Sequence, residues 1–360
     1  MALTTVSSDR LSTNVKNTNF TAAEKQDLTD DILPLAGQLG NRNLIINGAM
    51  QVAQRGTSST GLGASAGYFT LDRYRTTFSN TAGRVTMAQV TDVHDGFANA
   101  MKFSCTTADT SIGSNEYFIL QQKLEGQDLQ QLKKGSSDAE EFTVSFYVKG
   151  NASATYVCEI YDLDNSRQVS KTFSVTTSWT RVELTFPADT TGALDDDNGG
   201  SLQLGIWLHG GSDYTSGTLN SSAFASVTQA NRAVGISSIF DSTNRTFFLT
   251  GVQLEVGSVA TDFEHRSFGQ ELALCQRYYH ELDATNWFNL IEKGSTYRRL
   301  RYEFPVTMRA TPTVSNATGT NNGSSGSPSG TQHGSTKKIT FHWDSPGLVY
   351  LNTAEFSAEL

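Results

Sequence analysis

Between Asn43 and Phe268 apolar and polar residues alternate again and again, and a period of two marks strands that lay one face on a core. Phe142, Val144, Phe146 and Val148 share one face of the run Phe142–Lys149, and Val182, Leu184 and Phe186 share one face of Trp179–Phe186. The runs Ser201–Leu208 and Gly251–Val256 turn Leu202, Leu204, Ile206, Leu208, Val252, Leu254 and Val256 inward in the same way. Clusters of Gly, Asn and Asp at 150–151, 162–165, 195–200 and 210–213 separate the runs as turns. Many short strands between turns, with few helical patterns, predict a mainly β chain built as an antiparallel β-sandwich or jelly roll. Composition agrees. Only 18 % of the 360 residues are charged, and plentiful Gly, Ser, Thr and Asn suit strands and turns better than long surface helices.

Three regions follow from this pattern. Residues 1–40 are polar, with a short helix predicted from a capping box at Thr21 and Glu24 to about Leu33, before Pro34, Gly37 and Gly40 end it. One short helix buries no core of its own, so this segment is expected to be an arm docked on another body. Residues 41–268 form the sandwich. Residues 269–360 begin with Leu272, Cys275, Tyr279 and Leu282 at helical spacing, which predicts a linking helix over Glu271–Leu282. The runs Arg301–Val306, Lys338–Trp343 and Leu348–Leu351 then predict a small C-terminal β domain, with Asn316–Ser335, rich in Gly, Ser, Thr and Asn, read as an exposed loop.

Charge and motifs exclude several classes of function. The net charge is −9 and the pI about 5.2, against a nucleic-acid partner, which calls for a basic stripe. No apolar run approaches the length of a membrane span, and the first residues lack the pattern of a signal peptide. Cys105, Cys158 and Cys275 are too dispersed for a disulfide framework or a zinc site and read as small buried apolar residues. The sequence carries no nucleophile-elbow, zinc-protease or phosphate-loop motif, so it is expected not to be an enzyme. Glu159, Glu183 and Glu255 fall on outward strand positions and read as solvated faces. Asp162-Leu-Asp164 and Asp195-Asp-Asp-Asn-Gly199 offer oxygens to a calcium ion, but Asp and Asn also favour turns for local reasons, and no cofactor is expected.

The outward strand faces are more informative. Tyr147, Glu159, Tyr161, Gln203, Trp207 and Gln253 lie opposite the apolar set, where water alone would select Thr, Ser, Lys and Glu. Aromatic rings beside amides and carboxylates suit a sugar, whose C–H face stacks on a ring while its hydroxyls take hydrogen bonds. These six residues are the candidate carbohydrate-binding set, with Trp207 at its centre and Gln203 and His209 on the same face. The bland alternative is that the rings pack against another part of the chain or a neighbouring subunit.

The order of motifs adds a resemblance. Asn43-Leu-Ile-Ile-Asn-Gly-Ala-Met50, Gln54-Arg-Gly56 and Leu71-Asp-Arg-Tyr74 resemble the opening of carbohydrate-binding-module-like jelly rolls in bacteriophage tail fibres. Phe142–Gly150, Ser178–Pro187, Phe248–Gly257 and Phe263-Glu-His-Arg266 are similar to its later strands, in order. Glu271–Tyr279, Phe304–Val314 and the closing Ala358-Glu-Leu360 are similar to the segments that follow in such proteins. The resemblance implies a virion protein of the tail, made in the host cytoplasm and usually a homotrimer. Its arm at residues 1–40 would join a tail or adaptor protein, and its distal part would meet a host-surface glycan or another cell-envelope ligand. A purely structural neck, collar or head fibre is the alternative, and a glycan depolymerase a third. Related modules often hold calcium through a Glu just after the Asn-Gly opening. Here Ala49, Met50 and Gln51 stand there, so that site is not carried over.

Overall fold

The computed structural model describes residues 41–282, 290–293, 296–321, 324–325, 327–332, 334–344 and 349–360. The chain divides into a unit Met1–Arg42 and a unit Asn43–Leu360, and every described strand belongs to the second. The expected arm and its helix at residues 1–40 lie outside the described residues.

Two antiparallel sheets form a sandwich of jelly-roll type. Among the described residues, one sheet has six strands in the order β1 (Ser58–Leu62), β4 (Arg84–Val90), β5 (Ala100–Thr107), β13 (Thr246–Val256), β7 (Phe142–Gly150) and β10 (Thr180–Phe186). The other has seven, in the order β12 (Ala225–Ser226), β9 (Arg167–Val175), β8 (Ala154–Asp162), β11 (Gly200–Gly210), β6 (Tyr117–Glu125), β3 (Arg75–Ser79) and β2 (Gly67–Tyr68). The core between them is supplied by alternate residues of each strand. Phe142, Val144, Phe146, Val148, Leu202, Leu204, Ile206, Leu208, Val252 and Leu254 all lie in it, as their parity predicts.

Two bulges adjust that parity. After Trp207, which faces Ile119, β11 carries one extra residue, so His209 pairs with Phe118 and its ring meets core Phe240 at 5.2 Å. His209 therefore leaves the face that simple alternation gives it. Between Thr250 and Gln253 a second bulge holds Gly251 at φ +61°, where a Cβ would stand 2.6 Å from Phe97 and 2.9 Å from Tyr147. Both the backbone and the crowding require glycine there.

Residues beyond the sandwich differ from expectation in two places. The helix, α1, runs Phe268–Gln276, opened by a capping box between Ser267 and Gln270, and then gives way to strand β14 (Tyr279–Leu282). Leu272, Cys275, Tyr279 and Leu282 fit helical spacing, but Tyr279–Leu282 gains more by pairing with β21 (Val349–Ser357), a case of tertiary pairing overriding periodicity. Within the expected loop, β17 (Thr313–Asn321) also pairs with β21, its threonines making cross-strand contacts such as Thr318 Oγ1 to Thr353 Oγ1 at 2.6 Å. With β18 (Ser324–Ser325) these complete a sheet β14-β21-β17-β18. A second sheet is β15 (Leu290–Lys293), β16 (Arg298–Glu303), β20 (Lys338–Trp343) and β19 (Gly330–Gln332). Leu300, Phe341, Trp343, Leu351 and Phe356 form their separate core. Arg73 ties them to the sandwich: its guanidinium pairs with Glu359 at 2.5 Å and lies 3.4 Å from the centre of the Tyr278 ring.

Candidate functional site

The outer face of the seven-stranded sheet carries a cleft of about 280 Å³. Strands β6, β8 and β11 supply its floor and walls through Tyr117, Ile119, Gln121, Tyr161, Gln203 and Trp207, joined by Leu163. Registers place these side chains together: Gln203 sits opposite Tyr161 on one neighbour, and Trp207 opposite Ile119 on the other. Between Gln203 and Trp207 lies Gly205, opposite both Glu159 and Gln121. A Cβ at Gly205 would stand 3.3 Å from Ile119 Cγ2, so the missing side chain keeps this part of the face open.

The far wall comes from the long connection between β11 and β13. Residues 211–236 cross the outer face and supply Tyr214, Gln229 and Arg232. This segment is stitched down by Ala233 N donating to Tyr214 O (2.9 Å), Gly217 N to Ala230 O (2.9 Å) and Ser170 N to Asn220 O (2.7 Å). Ala233, with Tyr214, Leu219 and Ile236 packed around it, makes a small apolar cluster with Ile119, Val157 and Trp207.

Trp207 is 0 % exposed, because that cluster covers it. Its ring lies 5.3 Å from Tyr214 and 5.9 Å from Tyr117, and its Nε1 donates to Glu159 Oε2 at 3.0 Å. The expectation of an open stacking platform is thus corrected: Trp207 supports the cleft from beneath. Glu159, also 0 % exposed, accepts Arg232 Nε at 2.7 Å and Nη2 at 2.8 Å in a forked pair. Burial alone would lower the Arg232 pKa, but the Glu159 carboxylate more than reverses this and holds it above the usual arginine value. The guanidinium carbon lies 4.9 Å from the Trp207 ring centre and 5.0 Å from that of Tyr161.

Groups open to a ligand are therefore the tyrosines and the amides. Tyr117, Tyr161 and Tyr214 are half-buried, and their hydroxyls have no hydrogen-bond partner among the described residues. Gln121 is engaged through its oxygen, which accepts Thr77 Oγ1 at 2.8 Å, and its NH₂ group has no partner among the described residues. Gln203 is only 5 % exposed and lines the cleft, where its amide stays open and makes no hydrogen bond to a described residue. Water bonds an amide left open in this way until a ligand group displaces it.

The structure thus brings Tyr161, Glu159, Gln203 and Trp207 together and separates Tyr147 and Gln253 from them. The latter two belong to the outer face of the six-stranded sheet. Parity alone puts them outward, and only the strand order reveals that their outward side is the opposite one. Tyr147 is stacked on His94 at 4.1 Å and neighbours Phe97 at 5.5 Å. Gln253 is buried in a closed network: its oxygen accepts Glu264 N at 2.8 Å, and its NH₂ donates to Glu255 at 2.8 Å and Thr261 at 3.2 Å. The solvated reading holds for Glu183, whose side chain is 51 % exposed, but fails for Glu159 and Glu255, both buried and bonded.

Tyr117, Gln121, Tyr214, Gln229 and Arg232 were not legible as site residues. The parity of β6 was available, but nothing in the local pattern of 211–236 shows where that segment crosses. Three carboxylates of the acidic turns accept protein donors: Asp162 from Lys134 Nζ at 2.5 Å, Asp164 from Asp195 N at 3.0 Å, and Asp197 from Gly199 N at 2.6 Å. Among the described residues no group of three or more His, Cys, Asp or Glu is placed to hold a metal ion.

No family model matches this chain, and no curated protein does. Solved structures that resemble it include a family 30 carbohydrate-binding module, 11 % identical, spanning 65 % of this chain and 96 % of that one at a TM-score of 0.32. A family 61 module in complex with β-1,4-galactotriose is 12 % identical, spans 60 % of this chain and 99 % of that one, and scores 0.32. The family 11 module of a cellulosomal cellulase of Clostridium thermocellum is 12 % identical, spans 58 % and 98 %, and scores 0.29. Likenesses this distant say nothing about which ligand this chain holds.

Proposed function

We propose that this chain is a glycan-binding protein without turnover, and that its ligand occupies the cleft on the seven-stranded sheet. The observation that carries this reading is the Gln203 amide, open to the cleft and without a partner among the described residues at the floor of an aromatic hollow. A sugar hydroxyl satisfies such an amide while a tyrosine ring receives the C–H face of the pyranose. The cleft lining includes no Asp or Glu, and Glu159 beneath it is committed to Arg232 and Trp207. Glycoside hydrolysis, in contrast, needs two carboxylates flanking the scissile bond.

The setting we propose is the tail of a bacteriophage, where the protein would be a trimeric receptor-binding fibre attached through residues 1–40. That part of the reading rests on the order of sequence motifs from Asn43 to Leu360. A glycan-array and whole-cell binding screen with the full chain tests the binding, with Tyr161→Ala alongside. Tyr161 is half-buried at the cleft wall, so the variant is expected to fold and to lose about 1–2 kcal/mol of affinity. Unchanged affinity in a folded variant places the ligand elsewhere.

A further inference from the structure

Among the described residues that line the cleft one is a cation, Arg232, and the protein has already neutralised it. Arg232 brings its guanidinium over Tyr161 and Trp207, the position from which an arginine fork would grip a carboxylate, sulfate or phosphate on a sugar. That fork is taken. Glu159 holds Nε and Nη2 at 2.7 and 2.8 Å, and Nη1 donates to Gln229 Oε1 at 2.9 Å. Glu159 is in turn fixed by Trp207 Nε1 at 3.0 Å and cannot swing away without leaving that donor unpaired in a buried site. The remaining lining, Gln121, Gln203 and the three tyrosines, is uncharged. Lys123 and Arg75 are cross-strand neighbours of Gln203 and Gln121, but neither lines the cleft.

We infer that Glu159 is a specificity-determining positioning residue: by cancelling Arg232 it makes the cleft select uncharged glycans over those bearing a carboxylate or sulfate. An acidic sugar entering the cleft meets a guanidinium with no free fork and a second anion directly behind it. A neutral sugar meets amides and phenols that both donate and accept. This inference rests on the proposed glycan-binding reading. Taking away the Glu159 charge while keeping its shape releases Arg232 and should turn the same cleft toward anions.

Matched probes test it on the full chain: hexose oligomers against the corresponding uronic acid oligomers, and lactose against its sialylated and sulfated forms. The wild-type protein is expected to favour the neutral member of each pair by about tenfold or more. Glu159→Gln, checked for folding by circular dichroism, is expected to close or reverse that ratio. Adding Arg232→Met to it should abolish the gained affinity for the acidic member, a readout that a merely structural role for Glu159 would not produce. If Glu159→Gln does not fold, the wild-type ratio decides, and the single variant Arg232→Met, which leaves the Glu159 carboxylate unbalanced behind the cleft, should lower affinity for acidic probes further. Equal or tighter wild-type binding of the acidic member overturns the inference and leaves glycan binding intact. So does an unchanged ratio in folded Glu159→Gln. Binding of no probe by the wild type overturns the glycan-binding reading itself, and this inference with it.

Discussion

The two outer faces of the sandwich are built from the same materials and finished differently. Each presents tyrosine, glutamine and glutamate at outward strand positions, and each is crossed by a later segment of chain. On the six-stranded sheet that segment lies flat. Thr261 donates its N–H and hydroxyl to Glu255, Glu264 N donates to Gln253, and Tyr147 stacks on His94 while Phe97 meets Tyr147 at a tilt and Phe263 edge-on. On the seven-stranded sheet, residues 211–236 touch down around Trp207 and Ala233 but stand off over Gln203 and Tyr161. One face has used up its polar groups and the other has kept some in reserve. Aromatic and amide residues on a sheet surface therefore do not make a site by themselves; the geometry of the covering segment does.

The sharpest way to break this contrast is Trp207→Ala. Removing a fully buried ring that anchors the covering segment is expected to cost about 3–5 kcal/mol of stability, and a lowered thermal midpoint together with lost binding would show it. A stable protein with an open cleft would mean that Trp207 faces the ligand after all.

The C-terminal sheets supply a buried polar group of another kind. His280 lies near-parallel to the Tyr302 and Phe356 rings, its centre 5.7 and 6.0 Å from theirs, bonds the Tyr302 hydroxyl, and is pushed by burial from 6.5 down to about 4. Because its folded pKa is depressed, its neutral form contributes stability that is complete above pH 6.5 and is lost as pH falls through about 4. That amounts to roughly 3 kcal/mol at most. Asp72, raised by burial to about 6, works the other way: its contribution is full below 3.8 and is lost as pH rises through about 6. Urea unfolding at pH 7.5 and pH 4.5 separates them, since His280→Gln leaves Asp72 in place. The wild type is expected to lose more stability on acidification than the variant, and equal losses would remove His280 from the account.

A smaller and more pointed test sets the two glutamines against each other. Gln253→Ala breaks a satisfied network and should cost about 1–3 kcal/mol of stability with binding unchanged. Gln203→Ala removes an amide with no partner and should leave stability unchanged while weakening glycan binding by about 1 kcal/mol. Calorimetric titration and thermal unfolding of both variants give the four numbers. The same pattern in both would erase the distinction between the faces.

Much of this was legible from alternation alone. The period of two assigned Val144, Leu204 and Leu254 to the core and Tyr161, Gln203 and Trp207 to an outer face, because a pleated strand leaves a side chain no third direction. Three things were not legible. Strand order decides which outer face a residue joins, and order is a long-range property: Tyr147 and Tyr161 look alike in sequence and lie on opposite sheets. A bulge shifts parity without a local signature, so His209 turned toward Phe240. Cover is set by distant chain, so Trp207 and Glu159 were read as exposed although residues 211–236 bury them. At the C-terminal end, Tyr279–Leu282 and Thr313–Asn321 became strands because β21 offered both an edge, which neither segment announces on its own.

The most direct measurement is a two-dimensional amide NMR titration of the full chain with the neutral oligosaccharide that gives the strongest array signal. The account expects saturable shifts at the side-chain amides of Gln203 and Gln121 and at backbone amides of Tyr161 and Arg232, with Gln253 and Tyr147 unmoved. Shifts centred on Tyr147, Phe97 and His94, or an array in which no glycan binds, would contradict it.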